Sequence, residues 1–189
     1  MRIIAGTARG RALQSPTWDG VRPTSDRLRE TLFNVLGAEV AGSRFLDVCA
    51  GTGAIAIEAL SRGAAAAMCL DHDARAVALI RANAVHCGLE KHCMIVRGSA
   101  PEAITGARLG GPFDLIVLDP PYAAPWLDAA VRAAAMLLAP DGRLALEHAA
   151  TRPPPESPGL RFERSRRAGD SALSTYRAVT TDGAGASHP

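Results

Sequence analysis

The sequence predicts an α/β fold: a doubly wound, mostly parallel, seven-stranded sheet of the Rossmann-like type, with a small N-terminal hairpin and helix attached to it. Three observations carry this expectation. Apolar segments of strand length and helix length alternate through residues 45–147. The strand segments are near-continuously apolar, as in Leu115-Ile116-Val117-Leu118, which requires burial on both faces. Turn motifs rich in glycine or proline follow two of the strands, where α/β sheets place their ligands.

Taken in order, residues 2–5 and 11–14 flank a glycine-containing turn and suggest a hairpin. A helix follows over about 25–40, with Leu28, Leu32, Val35 and Leu36 on one buried face and Thr24 or Ser25 as its cap. Strands are then expected at 45–50, 65–70, 93–96, 113–119 and 143–147, with helices at 54–61, 74–86, 101–107 and 126–138 between them. Beyond the stiff Pro153-Pro154-Pro155 loop, 161–166 and 174–180 form an antiparallel pair that closes the sheet. This divides the chain into an N-terminal extension over 1–42, a catalytic domain over 43–180 and a disordered tail over 181–189 that has nothing to bury.

The 189 residues, 48% of them hydrophobic, suit one well-buried α/β domain. No apolar stretch approaches the length of a membrane span or a signal peptide, so a cytoplasmic protein is expected. Cys49, Cys69, Cys87 and Cys93 lie in or beside apolar runs, as reduced thiols do. His86-Cys87 and His92-Cys93 lack zinc-ligand spacing, and no metal is expected. The net charge of +2 hides an uneven distribution. Seven arginines face four acids in 1–44 and six face three in 150–181, whereas eight basic residues face eleven acids in 45–149. Basic ends on a mildly acidic centre fit a nucleic-acid partner, and equally a genome that favours arginine codons.

Asp47-Val48-Cys49-Ala50-Gly51-Thr52-Gly53 follows the first strand and opens a helix. Its glycines let the backbone turn sharply against a ligand. Asp71, ending the second strand, is placed to accept hydrogen bonds from both ribose hydroxyls of an adenosine. The spacing also satisfies the dinucleotide pattern, with Ala56 as its third small residue. A carboxylate four residues before the first glycine sits badly beside a pyrophosphate, however, and well beside the cationic ammonium of S-adenosylmethionine. Asp47 therefore favours S-adenosylmethionine over NAD.

Asp119-Pro120-Pro121-Tyr122 follows the fourth strand on the same edge of the sheet. The prolines remove two N–H donors and leave an acceptor-rich stretch, the Asp119 carboxylate and the Pro120 carbonyl. An exocyclic amino group donating to both would turn its lone pair out of conjugation. Asp119 would stabilise the charge that develops on the nitrogen and receive its proton. Tyr122 offers a face for a planar base.

With these motifs, Arg2-Ile3-Ile4-Ala5-Gly6, Gly10-Arg11, the block from Arg22-Pro23-Thr24 to Phe33-Asn34, and Glu58-Ala59-Leu60-Ser61-Arg62-Gly63, the chain resembles the RsmD-like family of bacterial 16S rRNA guanine-N2 methyltransferases. The resemblance extends to about Tyr176-Arg177. It implies that Thr24, Arg27 and Phe33 border the methionine end of the cofactor, and that Asp47, Ala50, Gly51 and Gly53 hold the methionyl group. It further implies that Asp71, with His72 beside it, holds the ribose, and that Ser99-Ala100 flanks the adenine. It implies catalysis by Asp119 to Tyr122. Ser99 stands where an Asn or Asp is common, which leaves the adenine N6 contact to backbone groups.

Arg2, Arg9, Arg11 and Arg22 at one end, and Arg164, Arg166 and Arg167 at the other, are the candidate phosphate contacts. The expected partner is 16S rRNA or the small ribosomal subunit, met by a monomer, with no DNA. Competing readings are a DNA adenine-N6 or protein glutamine methyltransferase, which the same tetrapeptide serves, an NAD-dependent oxidoreductase, and an RNA-binding assembly factor.

Overall fold

The computed structural model describes residues 1–18, 26–105 and 109–179. Arg22, Thr24, the Ser25 cap and the 181–189 tail lie outside the described residues.

The expected alternation forms a single seven-stranded sheet. Its strands are β1 (Arg44–Val48), β2 (Ala66–Asp71), β3 (Cys93–Arg97), β4 (Phe113–Leu118), β5 (Leu138–Ala149), β6 (Leu160–Ala168) and β7 (Ser171–Ala178). The helices are α1 (Asp26–Leu36), α2 (Ala54–Ser61), α3 (Ala74–Cys87), α4 (Glu102–Thr105) and α5 (Leu127–Ala135). The spatial order is β3-β2-β1-β4-β5-β7-β6. β1 through β5 pair in parallel, and β7 is antiparallel to both β5 and β6. The order reverses direction between β1 and β4, which opens a crevice at their carboxyl ends.

One face of the sheet packs Phe45, Cys69, Val117 and Ala145 beneath α1 and α2. The other packs Leu46, Ile116, Leu144 and Tyr176 against α5. Every residue of α2 is buried, because this helix is covered on both sides. Ile55, Ala56 and Ala59 face the sheet, while Ala54 and Ile57 meet Ile3, Ala8 and Leu13 of the N-terminal segment.

The expected hairpin shrinks to a single bridge, Arg2↔Ala12. Backbone bonds still join the two segments there, from Ile3 N–H to the Arg11 carbonyl, Gly10 N–H to the Ile3 carbonyl and Leu13 N–H to the Met1 carbonyl. Beyond them the segment turns to α2: Ile4 and Ala5 donate their N–H groups to the Glu58 carboxylate, at 2.7 and 3.0 Å. Ala8 donates to Ser61 Oγ and Thr7 to the Ser61 carbonyl. At Gly6 (φ +83°) an added Cβ would lie 1.7 Å from the Ser61 oxygen, so this close approach requires glycine.

β5 starts at Leu138, five residues before the strand expected at 143. Its pairing with β4 jumps from Phe113↔Leu138 to Leu115↔Arg143, and residues 139–142 form the irregularity. Ala139-Pro140-Asp141-Gly142 carries turn chemistry, which hides the strand from a pattern-based reading. α1 ends at Leu36 and Gly37–Val40 continues as a 3-10 turn, so the helix expected to 40 is split. α5 ends at Ala135 rather than 138. None of the helices among the described residues is long and apolar enough to cross a membrane.

Candidate active site at the carboxyl edge of the sheet

After β1 the chain turns through Cys49 (φ 65°), Gly51 (φ 55°) and Gly53 (φ 75°). The loop is held from several directions. Cys49 and Ala50 donate to the Leu70 carbonyl at 2.9 and 3.1 Å, Gly53 donates to Ala50, and Gly51 donates to Asp71 Oδ2 at 2.8 Å. Gly53 packs so closely on α3 that a Cβ would meet Ile80 at 2.9 Å. Asn83, fully buried on α3, donates to the Thr52 carbonyl at 2.9 Å and bonds Gln14 through both its amide oxygen and its amide nitrogen.

Three carboxylates gather at this edge. Asp47, fully buried on β1, accepts one bond from Ala56 N–H at 3.1 Å through Oδ2, and its Oδ1 is buried with no hydrogen-bond partner. Burial pushes the Asp47 carboxyl up to about 8, reinforced by the charge of Asp119 and, less strongly, of Asp71, against the single bond from Ala56. The Cys49 thiol rises to about 12, first from burial and then from Asp71, Asp119 and Asp47. A buried carboxyl with an unsatisfied oxygen, set near two further acids, suits a cationic donor and opposes a pyrophosphate. The ammonium of S-adenosylmethionine fits it.

Asp71 accepts from Gly51 N–H on one oxygen and from Asp73 N–H, at 2.9 Å, on the other. A carboxylate oxygen takes about two bonds, so each retains capacity for a ribose hydroxyl. His72 is exposed, its ring nitrogen 3.5 Å from Asp71. Ser99 and Ala100 follow β3 at the same edge, where Gly98 donates to the Asp71 carbonyl at 2.9 Å.

Asp119 directly follows β4 and donates its backbone N–H to the Val48 carbonyl at 3.2 Å, which ties the start of the proline loop to the start of the glycine loop. Pro120 is buried, and Pro121 and the half-buried Tyr122 turn outward. The Tyr122 hydroxyl donates to Glu147 Oε1 at 3.1 Å. Glu147 is a buried residue near the carboxyl end of β5.

The arginines divide into two groups. Arg27 and Thr31 of α1 line an open cleft of about 400 Å³ together with Arg166 and Arg167 of β6, with Leu28 and Leu173 in its wall. Leu173 pairs with Glu147 near the end of β5, so this basic cleft borders the carboxyl edge of the sheet. Arg164 is exposed on β6 outside the cleft lining. Arg2, Arg9 and Arg11 are elsewhere: their turn packs on Ser61, at the opposite end of α2 from Gly53, and Arg11 donates to the His86 carbonyl near the end of α3. Phe33 is not at the crevice either. Its ring stacks on Phe45 with centroids 6.4 Å apart, under the Arg62 guanidinium at 4.6 Å, which makes it core rather than a cofactor contact.

Sequence reasoning overlooked Glu147, Asn83 and the role of Glu58. Glu147 had a signal, being the acidic end of the strand expected at 143–147. Asn83 offers none, because its partners Gln14 and Thr52 are 69 and 31 residues away. Among the described residues, no His, Cys, Asp or Glu cluster is placed to hold a metal ion.

An adenosine-type loop after β1 and an amino-acceptor loop after β4, joined at one sheet edge, place this fold in the S-adenosylmethionine-dependent methyltransferase class. Within that class, residues 1–177 match the family model described as "Conserved hypothetical protein 95", and the chain belongs to this RsmD-like family. It is 34% identical over 181 residues to "Putative rRNA methyltransferase YlbH" of Bacillus subtilis, covering 94% of this chain and 98% of that one. It is 39% identical over 122 residues to "Ribosomal RNA small subunit methyltransferase D" of Escherichia coli, a match that spans 65% of this chain and 60% of the relative. The solved structure of "Putative methyltransferase yhhF" from Escherichia coli superposes with a TM-score of 0.84 at 31% identity, over 94% of this chain and 97% of the other.

Proposed function

We propose that the protein transfers a methyl group from S-adenosylmethionine to the exocyclic N2 amino group of a guanine in 16S rRNA of the small ribosomal subunit. The observation that carries this reading is the acceptor-rich Asp119-Pro120-Pro121-Tyr122 loop, bonded at Val48 to the strand end that opens the glycine loop. The names of the relatives, an rRNA methyltransferase and a small-subunit rRNA methyltransferase, support the choice of substrate.

S-adenosylmethionine, when bound, supplies an electrophilic methyl group. Asp47 with the Ala50, Gly51 and Gly53 backbone holds the methionyl end, Asp71 with His72 beside it the ribose, and Ser99-Ala100 the adenine. Asp119 and the Pro120 carbonyl each accept one hydrogen of the target amino group, which points the nitrogen lone pair at the methyl carbon. The bound cofactor would give up its methyl group by breaking the S–CH3 bond and leave as the neutral thioether S-adenosylhomocysteine, and Asp119 would take the proton that leaves the nitrogen. Tyr122 stacks on the base. Arg27, Arg166 and Arg167 contact phosphates of the RNA that surrounds it.

Transfer of tritiated methyl to small subunits, free rRNA and DNA, followed by nucleoside analysis, tests the reading. Label is expected as N2-methylguanosine, and Asp119→Ala should reduce the rate by roughly 10²- to 10⁴-fold while keeping S-adenosylhomocysteine binding. Label recovered as N6-methyladenosine, or on protein alone, would overturn it.

A further inference from the structure

The glycine loop over 49–53 is held from two sides, and the two holds differ in kind. On the sheet side β2 takes its N–H groups: Cys49 and Ala50 donate to the Leu70 carbonyl, and Gly51 donates to Asp71. Asp71 is the carboxylate assigned above to the ribose, so that hold is shared with the ligand. On the other side stands α3, where Ile80 packs on Gly53 and Asn83 donates to the Thr52 carbonyl at 2.9 Å. Asn83 has no accessible surface, so it cannot touch the ligand and its hold does not depend on one.

Nothing in α3 itself calls for an asparagine at this position. Asparagine is a poorer helix former than alanine or leucine, and its neighbours on the buried face, Leu79, Ile80 and Ala84, are apolar. A buried amide has to be satisfied, and here both ends are. Oδ1 accepts the Gln14 N–H at 2.8 Å, while Nδ2 donates to the Gln14 carbonyl at 3.2 Å and to the Thr52 carbonyl at 2.9 Å. One N–H and two carbonyls facing the same side chain require an amide. An acid would set a negative oxygen against Thr52, and an apolar side chain would leave the carbonyl bare.

The consequence for the loop is geometric. Across a trans peptide the Thr52 carbonyl and the Gly53 N–H point in opposite directions. The peptide plane between them is therefore gripped at both ends, by Asn83 at the carbonyl and by the Ala50 carbonyl, at 2.7 Å, at the N–H. Fixing this plane fixes the course of the backbone from Gly51 into α2. We propose that Asn83 is a positioning residue for the cofactor: by holding the Thr52 carbonyl it keeps the glycine loop in its binding shape before S-adenosylmethionine arrives. This rests on the reading above that the loop holds the methionyl end.

Asn83→Ala and Gln14→Pro separate this role from plain stabilisation. Alanine frees both the loop and the N-terminal segment, whereas proline removes only the N–H that Asn83 accepts and leaves the Thr52 bond. Both variants should unfold at lower urea concentrations than the wild type. Calorimetric titration with S-adenosylhomocysteine reads the affinity of the folded protein separately from the folded fraction, which appears as the stoichiometry. Asn83→Ala should bind roughly tenfold more weakly, the size of one hydrogen bond, and Gln14→Pro within about twofold of the wild type. Amide exchange over 49–54 should quicken in cofactor-free Asn83→Ala and return to the wild-type level at saturating S-adenosylhomocysteine. In turnover the loss should fall on KM for S-adenosylmethionine and leave kcat. Unchanged affinity or exchange in Asn83→Ala, or an equal loss in Gln14→Pro, overturns the role of Asn83 and leaves the cofactor site standing. A wild type that does not bind S-adenosylhomocysteine overturns the site as well.

Discussion

Glu58 on α2 and Asp47 on β1 are both completely buried carboxylates, yet the fold surrounds them in opposite ways. Glu58 accepts the backbone N–H groups of Ile4 and Ala5 and the Arg62 guanidinium, at 2.7, 3.0 and 2.7 Å, with the fully buried Arg29 at 3.5 Å. Asp47 receives one N–H, from Ala56, and otherwise faces the like charges of Asp119 and Asp71. Arg29 in turn donates to the Arg2 carbonyl at 2.8 Å and to Asp26 at 2.7 Å, so the Glu58 cluster binds the N-terminal segment and α1 to α2. This chain is able to satisfy a buried carboxylate fully where the carboxylate serves the fold. On the proposed reading Asp47 is left short of donors because it serves the ligand, and the two residues should respond oppositely to removal.

The largest effect is expected at Glu58. Glu58→Ala removes the acceptor for two backbone donors and one of the two carboxylates that face the buried Arg29, which keeps Asp26, a class of change that costs about 3–5 kcal/mol. Denaturant unfolding without cofactor measures it. The folded fraction should bind S-adenosylhomocysteine normally, and a loss below about 1 kcal/mol would erase the contrast with Asp47.

Asp47→Asn should shift stability the other way. The carboxyl is raised from an ordinary 3.8 to about 8 by burial first and by Asp119 next. A raised carboxyl contributes fully to stability below its unfolded pKa, and that contribution is lost as pH rises toward the folded value. The asparagine variant should thus gain stability over the wild type progressively between about pH 4 and pH 8, and hold that margin above. Thermal unfolding across this range tests the sign. Cofactor affinity should move against stability, falling roughly tenfold or more as one charge-assisted bond is lost. Since a cation beside Asp47 favours its ionised form, binding near pH 7 should release part of a proton from the wild type and not from the variant. Calorimetry in buffers of different ionisation enthalpy detects it. A variant that binds S-adenosylmethionine as well as the wild type would remove Asp47 from the ligand site.

The contrast also explains which features were legible in the sequence. The glycine and proline loops could be found because their chemistry is local: residues 47–53 and 119–122 each carry within one short segment the backbone constraints and the carboxylate. The parallel strands were legible because burial on both faces leaves unbroken apolar runs. Long-range pairing left no such trace. Glu58 meets Ile4 across 54 positions and Tyr122 meets Glu147 across 25, so each acid in isolation resembles any charged residue. Phe33 misled for a related reason. It belongs to a distinctive sequence block, but α1 is buried over a wider stripe than Leu28, Leu32, Val35 and Leu36 alone indicate, and Phe33 and Arg29 fall inside it.

The smallest effect is expected at the amino edge of the sheet, where charges are paired as at Glu58 but remain in reach of water. Glu39, Arg143, Glu163 and Arg177 alternate in sign around a ring, with contacts of 3.0, 3.1, 3.2 and 3.1 Å from Arg143 to Glu39 and Glu163 and from Arg177 to Glu163 and Glu39. Burial works to raise the Glu163 carboxyl, but Arg143 and Arg177 outweigh it and the net shift is downward. Its contribution is therefore present above the ordinary carboxylate range and lost as pH falls through the lowered value. Because Glu39 is 40% exposed, solvent screens the ring, and Arg177→Ala should cost only about 0–1 kcal/mol, less still at high salt. Urea unfolding at two ionic strengths measures this. A salt-insensitive loss as large as that of Glu58→Ala would show that pairing alone, rather than pairing combined with full burial, sets the difference between the two kinds of carboxylate.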